Sequence, residues 1–435
     1  MEARATSAAA AASSGHSRAQ SLRQRLGSTA AGEIGGAACL WIAQVLVARL
    51  GGVSMLGAFG LGFAIATPVI LFTNLHLRPV YVVDETGDWK FADYLGLRLT
   101  SLVVAAVAGV FTISAMGFTP EIASVVFAVL LYRLAEGLGD ILIAPAQRVN
   151  RLRRYGISRG LRGALLLVGI VIGQGVGLSV VWSIWLGCSL TLVLSVVYDR
   201  ETARRFATAR PRLSWARLVR LVRWTAPAGV AAGILSLTLG VPAYVLEAVR
   251  EVREVGFLTA ALSIAAIGSM LNVIVGGATI RTLASLHGRG DRSHLPFLAR
   301  LSGGIALLHG GLIVAVVFAG DLYLSKVYSP DYVHLHGALI WVSVAGLVAG
   351  VGNIMSQTIM AMRRFRTQLV VNTLGVLFVG AGAFVLIPAH GVLGAVFVHL
   401  GVGIYRLVVF FVVLALPSPG EGTGSHHPSA SNIQK

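Results

Sequence analysis

The strongest candidates for chemistry are three ionisable residues within one apolar run. Arg133, Glu136 and Asp140 lie three and four residues apart in the run 121–141. On a helix this spacing puts all three side chains on one face. An ionisable residue at the centre of a bilayer costs about 2.5–3.5 kcal/mol on insertion scales, so such residues face a bundle interior or a wet cavity. Two interpretations stay open: an Arg133–Glu136 pair that locks helices together, or a polar face that lines a transport pathway.

A second group consists of arginines at the ends of other apolar runs, namely Arg78, Arg98, Arg159 and Arg281. Taken singly, each is typical of an anchor at the membrane surface. Taken together, they could surround an opening whose positive potential attracts phosphate. Arg406 is a further cation within an apolar run.

The sequence contains no convincing catalytic or metal-binding arrangement. The stretch His287–Asp291 is a short turn-forming loop, and His309 and His399 are single histidines in apolar runs. Cys39 and Cys188 also lie in apolar runs, which excludes a disulfide framework or a thiolate metal site. The glycine pairs lack the strand and lysine of a phosphate-binding loop. We therefore predict a protein that is no enzyme, with no cofactor, metal or nucleic-acid partner.

The composition identifies the elements that must position these residues. Of 435 residues, 56% are hydrophobic and 12% charged, whereas a soluble domain has roughly 25% charged residues. The run 161–197 contains one charged residue, Arg162, and is about twice as long as a membrane-spanning helix requires. We predict an all-α polytopic membrane protein with about twelve transmembrane helices. They cover residues 30–50, 55–77, 96–116, 121–141, 159–176, 178–198, 225–246, 254–280, 298–320, 334–361, 367–387 and 391–416.

The basic residues predict the orientation of these helices. With a cytosolic amino terminus, 29 lysines and arginines fall on the cytosolic side and four outside, the latter being Arg49, Arg250, Arg253 and Lys326. This asymmetry follows the positive-inside rule. Both termini are therefore predicted to be cytosolic.

Two matches within the chain indicate an internal repeat. Residues 56–66 resemble 255–265, and the loop 147–155 resembles 357–365, each pair joining helix n to helix n + 6. Because six is even, both halves enter the membrane in the same direction and are related by an axis along its normal. The predicted organisation is a basic disordered tail (1–29), a six-helix lobe (30–198), a basic cytosolic linker (199–224), a second six-helix lobe (225–416) and a disordered tail (417–435).

Several short motifs over residues 30–416 carry a family resemblance. They are Ala48-Arg-Leu-Gly-Gly, Gly57-Ala-Phe-Gly-Leu, Leu134-Ala-Glu136-x-x-x-Asp140-Ile, Gln147-Arg148, Ile157-Ser-Arg159-x-x-Arg162-Gly163, Glu254-Val-Gly-Phe257, Tyr328-Ser-Pro-Asp-Tyr332 and Ala361-x-Arg363-Arg364-Phe365-x-x-Gln368. As a set they resemble the polysaccharide flippases of the multidrug/oligosaccharidyl-lipid/polysaccharide (MOP) exporter superfamily. One departure is Ile280-Arg281-Thr282-Leu283-Ala284, where the family usually has Pro-Arg-Leu-Ala.

The resemblance implies two lobes around a central cavity that opens alternately to either side of the bacterial inner membrane. It implies a lipid-linked saccharide substrate of the polyprenyl pyrophosphate type, and partners among other polysaccharide assembly proteins besides the lipid bilayer. On this view Arg133 binds phosphate, and Glu136 and Asp140 couple to protons or steer the arginine. Arg78 and Arg281 complete the predicted substrate-binding set.

Three alternative functions stay open. A lipid II-type flippase and a drug/cation antiporter belong to the same superfamily, and the antiporter would need an acidic rather than an arginine-rich cavity. A membrane polysaccharide polymerase or ligase would be an enzyme with a long outer loop, whereas the longest predicted outer loop here has about a dozen residues.

Overall fold

The chain is helical almost throughout the part that a computed structural model describes, residues 2–84, 87–266, 268, 294–362 and 365–415. Short π-helical turns at Ser195–Asp199 and Leu324–Tyr328 and a 3₁₀ turn at Pro330–Leu335 connect longer helices. The helices are α1 Glu2–Asn74, α2 Leu77–Val83, α3 Phe91–Ala115, α4 Pro120–Leu142, α5 Ala144–Arg148, α6 Leu152–Gly175, α7 Val180–Leu194, α8 Arg200–Phe206, α9 Trp215–Val249, α10 252–266, α11 His294–Tyr323, α12 His336–Ala361, α13 Phe365–His390 and α14 Val392–Ala415.

Ten helical stretches in the described residues are long and apolar enough to cross a membrane, which makes this a multi-pass membrane protein. The first, Gly27–Val83, contains two predicted spans joined at Gly52, whose φ of 77° and ψ of −175° are accessible only to glycine. The predicted span 254–280 is described only to residue 266 and at 268. The total of twelve spans therefore stays a prediction.

The first helix packs against α6 through glycines. A Cβ on Gly32 would overlap the Gly156 carbonyl, and one on Gly163 would overlap the Gly36 carbonyl. Small residues of this kind let membrane helices approach closely. The predicted tail 1–29 differs from the structure, because helix α1 continues back to Glu2 through an alanine-rich run of high helix propensity.

The predicted linker 199–224 is shorter than the sequence suggests. Helix α7 continues through the π-helical turn into α8, and α9 begins at Trp215, so only residues 207–214 are non-helical. This segment docks on α3, where the Arg212 amide donates to the Ala92 carbonyl oxygen at 2.9 Å. The predicted tail 417–435 lies outside the described residues.

The two predicted halves meet at a contact between α1 and α10. A Cβ on Gly57 would overlap the Val252 carbonyl oxygen, and a Cβ on Gly256 would overlap the Val53 carbonyl oxygen. Each residue is 199 positions from its counterpart, which is the offset of the predicted repeat. Each half thus makes the same contact with the other half, as in an interface with two-fold symmetry. Gly60 faces Thr259, its own counterpart at the same offset.

Candidate functional site

The polar face of α4 forms at the position that the sequence predicts. Arg133 and Glu136 form an ion pair, and their side chains are 16% and 19% exposed. At this low exposure, both charged side chains lie largely inside the helical bundle. The structure thus brings the predicted pair together but leaves both predicted roles, locking and transport, open.

A second arginine binds the same carboxylate. Arg159 of α6 places Nη1 2.8 Å from Glu136 Oε1 and Nε 3.0 Å from Glu33 Oε1 of α1. The Tyr155 hydroxyl donates to Glu33 Oε1 at 2.7 Å. Glu136 therefore contacts two guanidinium groups, Glu33 supplies the second negative charge, and the network ties α1, α4 and α6 together.

Arg78 and Asp140, both predicted site residues, also lie together. Arg78 Nε is 2.7 Å from Asp140 Oδ1, although the two atoms are not aligned as a hydrogen bond. Arg78 Nη1 donates to Gln147 Oε1 at 2.9 Å, and its guanidinium lies over the Tyr155 ring, 5.3 Å from the centroid. This links α2 to the same cluster. Arg281 lies outside the described residues.

Arg98, which the sequence predicts at the end of a helix, adds a buried positive charge to this region. Its side chain is 1% exposed, and Nε and Nη2 donate to the Gly137 carbonyl oxygen at 2.7 and 2.6 Å. Nη1 donates to Asn74 Oδ1 at 2.7 Å. No carboxylate of the described chain forms an ion pair with it. We call these seven residues the N-lobe charge network: Glu33, Arg78, Arg98, Arg133, Glu136, Asp140 and Arg159.

A separate ion pair lies deeper in the same lobe. Arg162 Nη2 is 2.8 Å from Asp199 Oδ2, with the side chains 4% and 0% exposed. Arg162 Nη1 donates to Ser195 Oγ at 3.1 Å, and that hydroxyl donates to the Ala135 carbonyl oxygen at 2.9 Å. These contacts fix the π-helical turn against α4 and α6.

Two glycines of α4 make room for these arginines. A Cβ on Gly137 would lie 2.9 Å from Arg98 Nη2. A Cβ on Gly139 would overlap Arg162 Nη2 and Asp199 Oδ2. In the segment Glu136-Gly-Leu-Gly-Asp140, the two glycines thus lie between the two acids, within little more than one turn of α4.

We expect Gly139→Ala to lower the thermal unfolding temperature of the detergent-purified protein. The added methyl forces apart a buried ion pair, and breaking such a pair costs about 3–5 kcal/mol. The control is Gly35→Ala in α1, where nothing lies within 4 Å of the added atom. Equal unfolding temperatures for the two variants would contradict the proposal that Gly139 is needed to accommodate the Arg162–Asp199 pair.

A cavity of about 270 Å³ lies between the lobes. It is bounded by α1, α9 and α10, and its polar lining consists of uncharged side chains, Gln44, Thr67, Ser236, Thr259 and Ser263. Ligand pockets typically have about 300–1,000 Å³, so this cavity is small for a saccharide. The N-lobe charge network does not line it.

Comparisons with known proteins agree on the architecture. No protein-family model matches the chain. It is similar to the capsular polysaccharide biosynthesis protein CapF of Staphylococcus aureus, with 21% identity over 369 residues, 82% of this chain and 90% of that protein. Among solved structures, lipid II flippase MurJ in an inward closed conformation matches with a TM-score of 0.72 and 13% identity, over 89% of this chain and 87% of MurJ. The outward-facing structure of a MATE family multidrug transporter of the MOP superfamily matches with a TM-score of 0.59 and 16% identity, over 89% and 94%.

The chain has the MOP superfamily fold. The predicted all-α architecture is therefore confirmed, and the fold is the one found in the superfamily that the sequence motifs resemble. MurJ is a lipid II flippase, and the MATE protein is a multidrug transporter. In this MOP fold, the N-lobe charge network lies entirely on helices of the first lobe.

Two acidic members of these clusters were not recognised from the sequence. Glu33 is the only acid between residues 3 and 83, and Asp199 directly follows the predicted sixth helix. An acid that is isolated in an apolar run is itself a signal, because it needs a partner inside the bundle. That signal could have identified Glu33, whereas Asp199 was assigned to the linker.

Proposed function

We propose that this protein is a flippase that moves lipid-linked oligosaccharide or polysaccharide repeat units across the bacterial inner membrane by alternating access, for surface polysaccharide biosynthesis. Such a substrate carries a pyrophosphate and many hydroxyl groups, and each unsatisfied polar group costs several kcal/mol in hydrocarbon. The similarity to CapF supports the polysaccharide class, and the fold shared with MurJ supports movement of a lipid-linked substrate.

The charge of the N-lobe charge network is the observation that carries the proposal. It has one more arginine than carboxylates: Arg78, Arg98, Arg133 and Arg159 against Glu33, Glu136 and Asp140. A guanidinium binds phosphate through paired, charge-assisted hydrogen bonds. The surplus favours an anionic substrate over the cation that a drug/cation antiporter would carry.

Glu136 is bound by both Arg133 and Arg159, and this double contact suggests how Arg133 is released to bind a phosphate. Releasing one arginine from a buried ion pair normally leaves the other charge unpaired, at a cost of about 3–5 kcal/mol. Here Arg159 keeps Glu136 neutralised at 2.8 Å when Arg133 turns away. Arg133 Nε is also buried without a hydrogen-bond partner in the described part of the chain. We therefore assign phosphate binding to Arg133, with Arg78 and Arg98 nearby and Arg281 as an untested fourth candidate.

Deletion of the gene in its host tests the substrate class. We expect a lipid-linked saccharide to accumulate in the cytosolic leaflet and the surface polysaccharide to disappear, with both restored by the wild-type gene on a plasmid. Accumulation of lipid II would favour the MurJ-like alternative. Unchanged lipid-linked saccharides together with increased sensitivity to cationic drugs would favour the antiporter.

Orientation in the membrane is a separate prediction, based on the 29-to-4 distribution of basic residues. In a cysteine-free background, Ser214→Cys should be labelled only after the membrane is permeabilised, and Ser329→Cys should be labelled in intact cells. Ser214 precedes α9, and Ser329 lies between the two turns that join α11 to α12. The reverse labelling pattern would contradict cytosolic termini.

A further inference from the structure

A second polar site lies inside the C-terminal lobe. A partly open cavity of about 170 Å³ is bounded by α9, α10, α12 and α14. Its lining is mostly apolar, with glycines at 346, 352 and 403 that widen it. The exceptions are Thr238, His399 and Arg406. The Thr238 hydroxyl donates within its own helix to the Leu235 carbonyl oxygen at 2.6 Å, so the two α14 side chains provide the free donors.

Arg406 has no counter-ion in the described residues. Its Nε is buried without a hydrogen-bond partner, and its guanidinium lies 5.6 Å from the centroid of the Phe410 ring. Every other arginine discussed so far within a helix bundle has a carboxylate or, for Arg98, three hydrogen bonds to fixed oxygens. With Nε buried and no ion pair or side-chain hydrogen bond among the described residues, the Arg406 guanidinium favours an anion from outside them as its partner.

Among the described residues of the C-terminal lobe, no acid forms an ion pair with Arg406. The acids between residues 225 and 416 are Glu247, Glu251, Glu254, Asp291, Asp321 and Asp331. All but Asp291 belong to the end of the lobe where α14 begins, because Arg250 donates to the Pro388 carbonyl oxygen at 2.8 Å and Gly391 lies close to Glu254. Arg406 is 14 residues along α14 from Val392, about 21 Å at 1.5 Å per residue. Asp291 lies outside the described residues.

His399 supplies a second donor on the same face of α14. It precedes Arg406 by seven residues, two helical turns, which separates the two side chains by about 10 Å along the helix. Its Nε2 is buried without a hydrogen-bond partner in the described chain. Gly403 lies between them in the cavity lining, where a Cβ would meet Val348 Cγ1 at 3.3 Å. One guanidinium fork and one imidazole thus line a space that no protein anion fills among the described residues.

We propose that the cavity around Arg406 and His399 is an oxyanion site for a phosphoryl group. A guanidinium fork matches two oxygens of such a group, which a spherical anion does not offer. The phosphoryl group comes from the lipid-linked substrate, a step that rests on the proposed function, or from free phosphate. Three of the four arginines in the N-lobe charge network have a carboxylate partner, whereas Arg406 has none among the described residues.

Thermal unfolding of the purified full-length protein in an uncharged detergent at low salt tests the site. The probes are sodium phosphate and dodecyl phosphate, with sodium chloride at matched ionic strength as the blank. At a concentration 100 times the dissociation constant, we expect either effective probe to raise the unfolding temperature by about 5 °C. Stabilisation by both probes indicates that the phosphoryl group suffices, and stabilisation by dodecyl phosphate alone indicates a lipid-borne group. No shift with either probe overturns the proposal.

The variant Arg406→Leu distinguishes a ligand-binding role of Arg406 from a structural role. Without phosphate, we expect this variant to unfold at a higher temperature than the wild type, because an unpaired buried charge has been removed from an apolar lining. Its response to phosphate should be clearly smaller than that of the wild type, and in an Arg133→Leu/Glu136→Leu background, which removes the proposed N-lobe phosphate contact, the response should be lost. Arg406→Lys should respond at about tenfold weaker affinity, and His399→Leu should weaken binding less than Arg406→Leu does. The matched control is Arg300→Leu on the exposed side of α11, which should keep the full response.

Two results would overturn the assignment to Arg406. One is a phosphate response in Arg406→Leu equal to that of the wild type. The other is a lower unfolding temperature of this variant without phosphate, which would identify Arg406 as structural. Because binding is measured without transport, failure of the gene-deletion test would overturn the proposed function and leave this result standing.

Discussion

Replacing Arg133 with alanine is expected to lower export of the surface polysaccharide by about 100-fold, because truncating a buried charged partner costs about 2–5 kcal/mol and each 1.36 kcal/mol is a factor of ten. Arg133→Lys should be partly active, since it restores the charge without the bidentate fork. Export per molecule is measured in the deletion strain, with the amount of membrane-inserted protein determined in parallel.

The double variant Arg133→Leu/Glu136→Leu distinguishes transport from helix locking. Removal of both charges leaves no unpaired member of the pair, and Arg159 keeps Glu33 at 3.0 Å as its partner. The double variant should therefore be abundant and correctly inserted. If Arg133 binds phosphate, the double variant exports no polysaccharide. If the pair only locks helices, the double variant recovers both the amount of membrane-inserted protein and the export of polysaccharide.

The pair Arg162–Asp199 is a matched control for this experiment. It has the same two charge types and lies in the same lobe, at 2.8 Å and almost without exposure. Either single leucine variant should lower protein abundance, and the double leucine variant should recover both abundance and export, because this pair is assigned a structural role. Full export by the Arg133/Glu136 double variant would contradict the transport role of Arg133.

The sequence was sufficient for the architecture and for the face of α4, because both follow from apolar run length and from the helical period. Arg133, Glu136 and Asp140 share a face on spacing alone. The partners across helices do not follow from spacing. That Arg159 joins Glu136, or that Arg78 joins Asp140, depends on how α2 and α6 pack against α4.

The boundaries were the weakest part of the sequence prediction. Residues 199–206 contain several arginines and were predicted as a linker, but Asp199 is held inside the bundle by Arg162, so the helix continues to Phe206. A described cavity between the lobes is lined by uncharged polar groups, and the arginine lining of a central cavity stays a prediction. Charges at helix ends cannot be assigned to a cavity without the packing of the lobes.

The α1–α10 contact leads to a prediction about movement between the lobes. Gly57→Ala and Gly256→Ala should each reduce export strongly, by tenfold or more, while protein abundance is unchanged. Each added methyl overlaps a backbone carbonyl of the opposite lobe, Val252 for Gly57 and Val53 for Gly256. A backbone oxygen cannot rotate away as a flexible side chain can, so the lobes must separate at this point. The alternating access proposed above requires the lobes to come together at this point once in each cycle.

The predicted two-fold relation makes the test quantitative. Because Gly57 and Gly256 are equivalent positions, 199 residues apart, their alanine variants should show the same loss of export within experimental error. The double variant should be little worse than either single variant, since one separation of the helices relieves both overlaps. Gly304→Ala in α11, with nothing within 4 Å of the added atom, is the control and should export normally. Clearly unequal losses at Gly57 and Gly256 would show that the contact is not symmetric, and the repeat would then lose its main structural support.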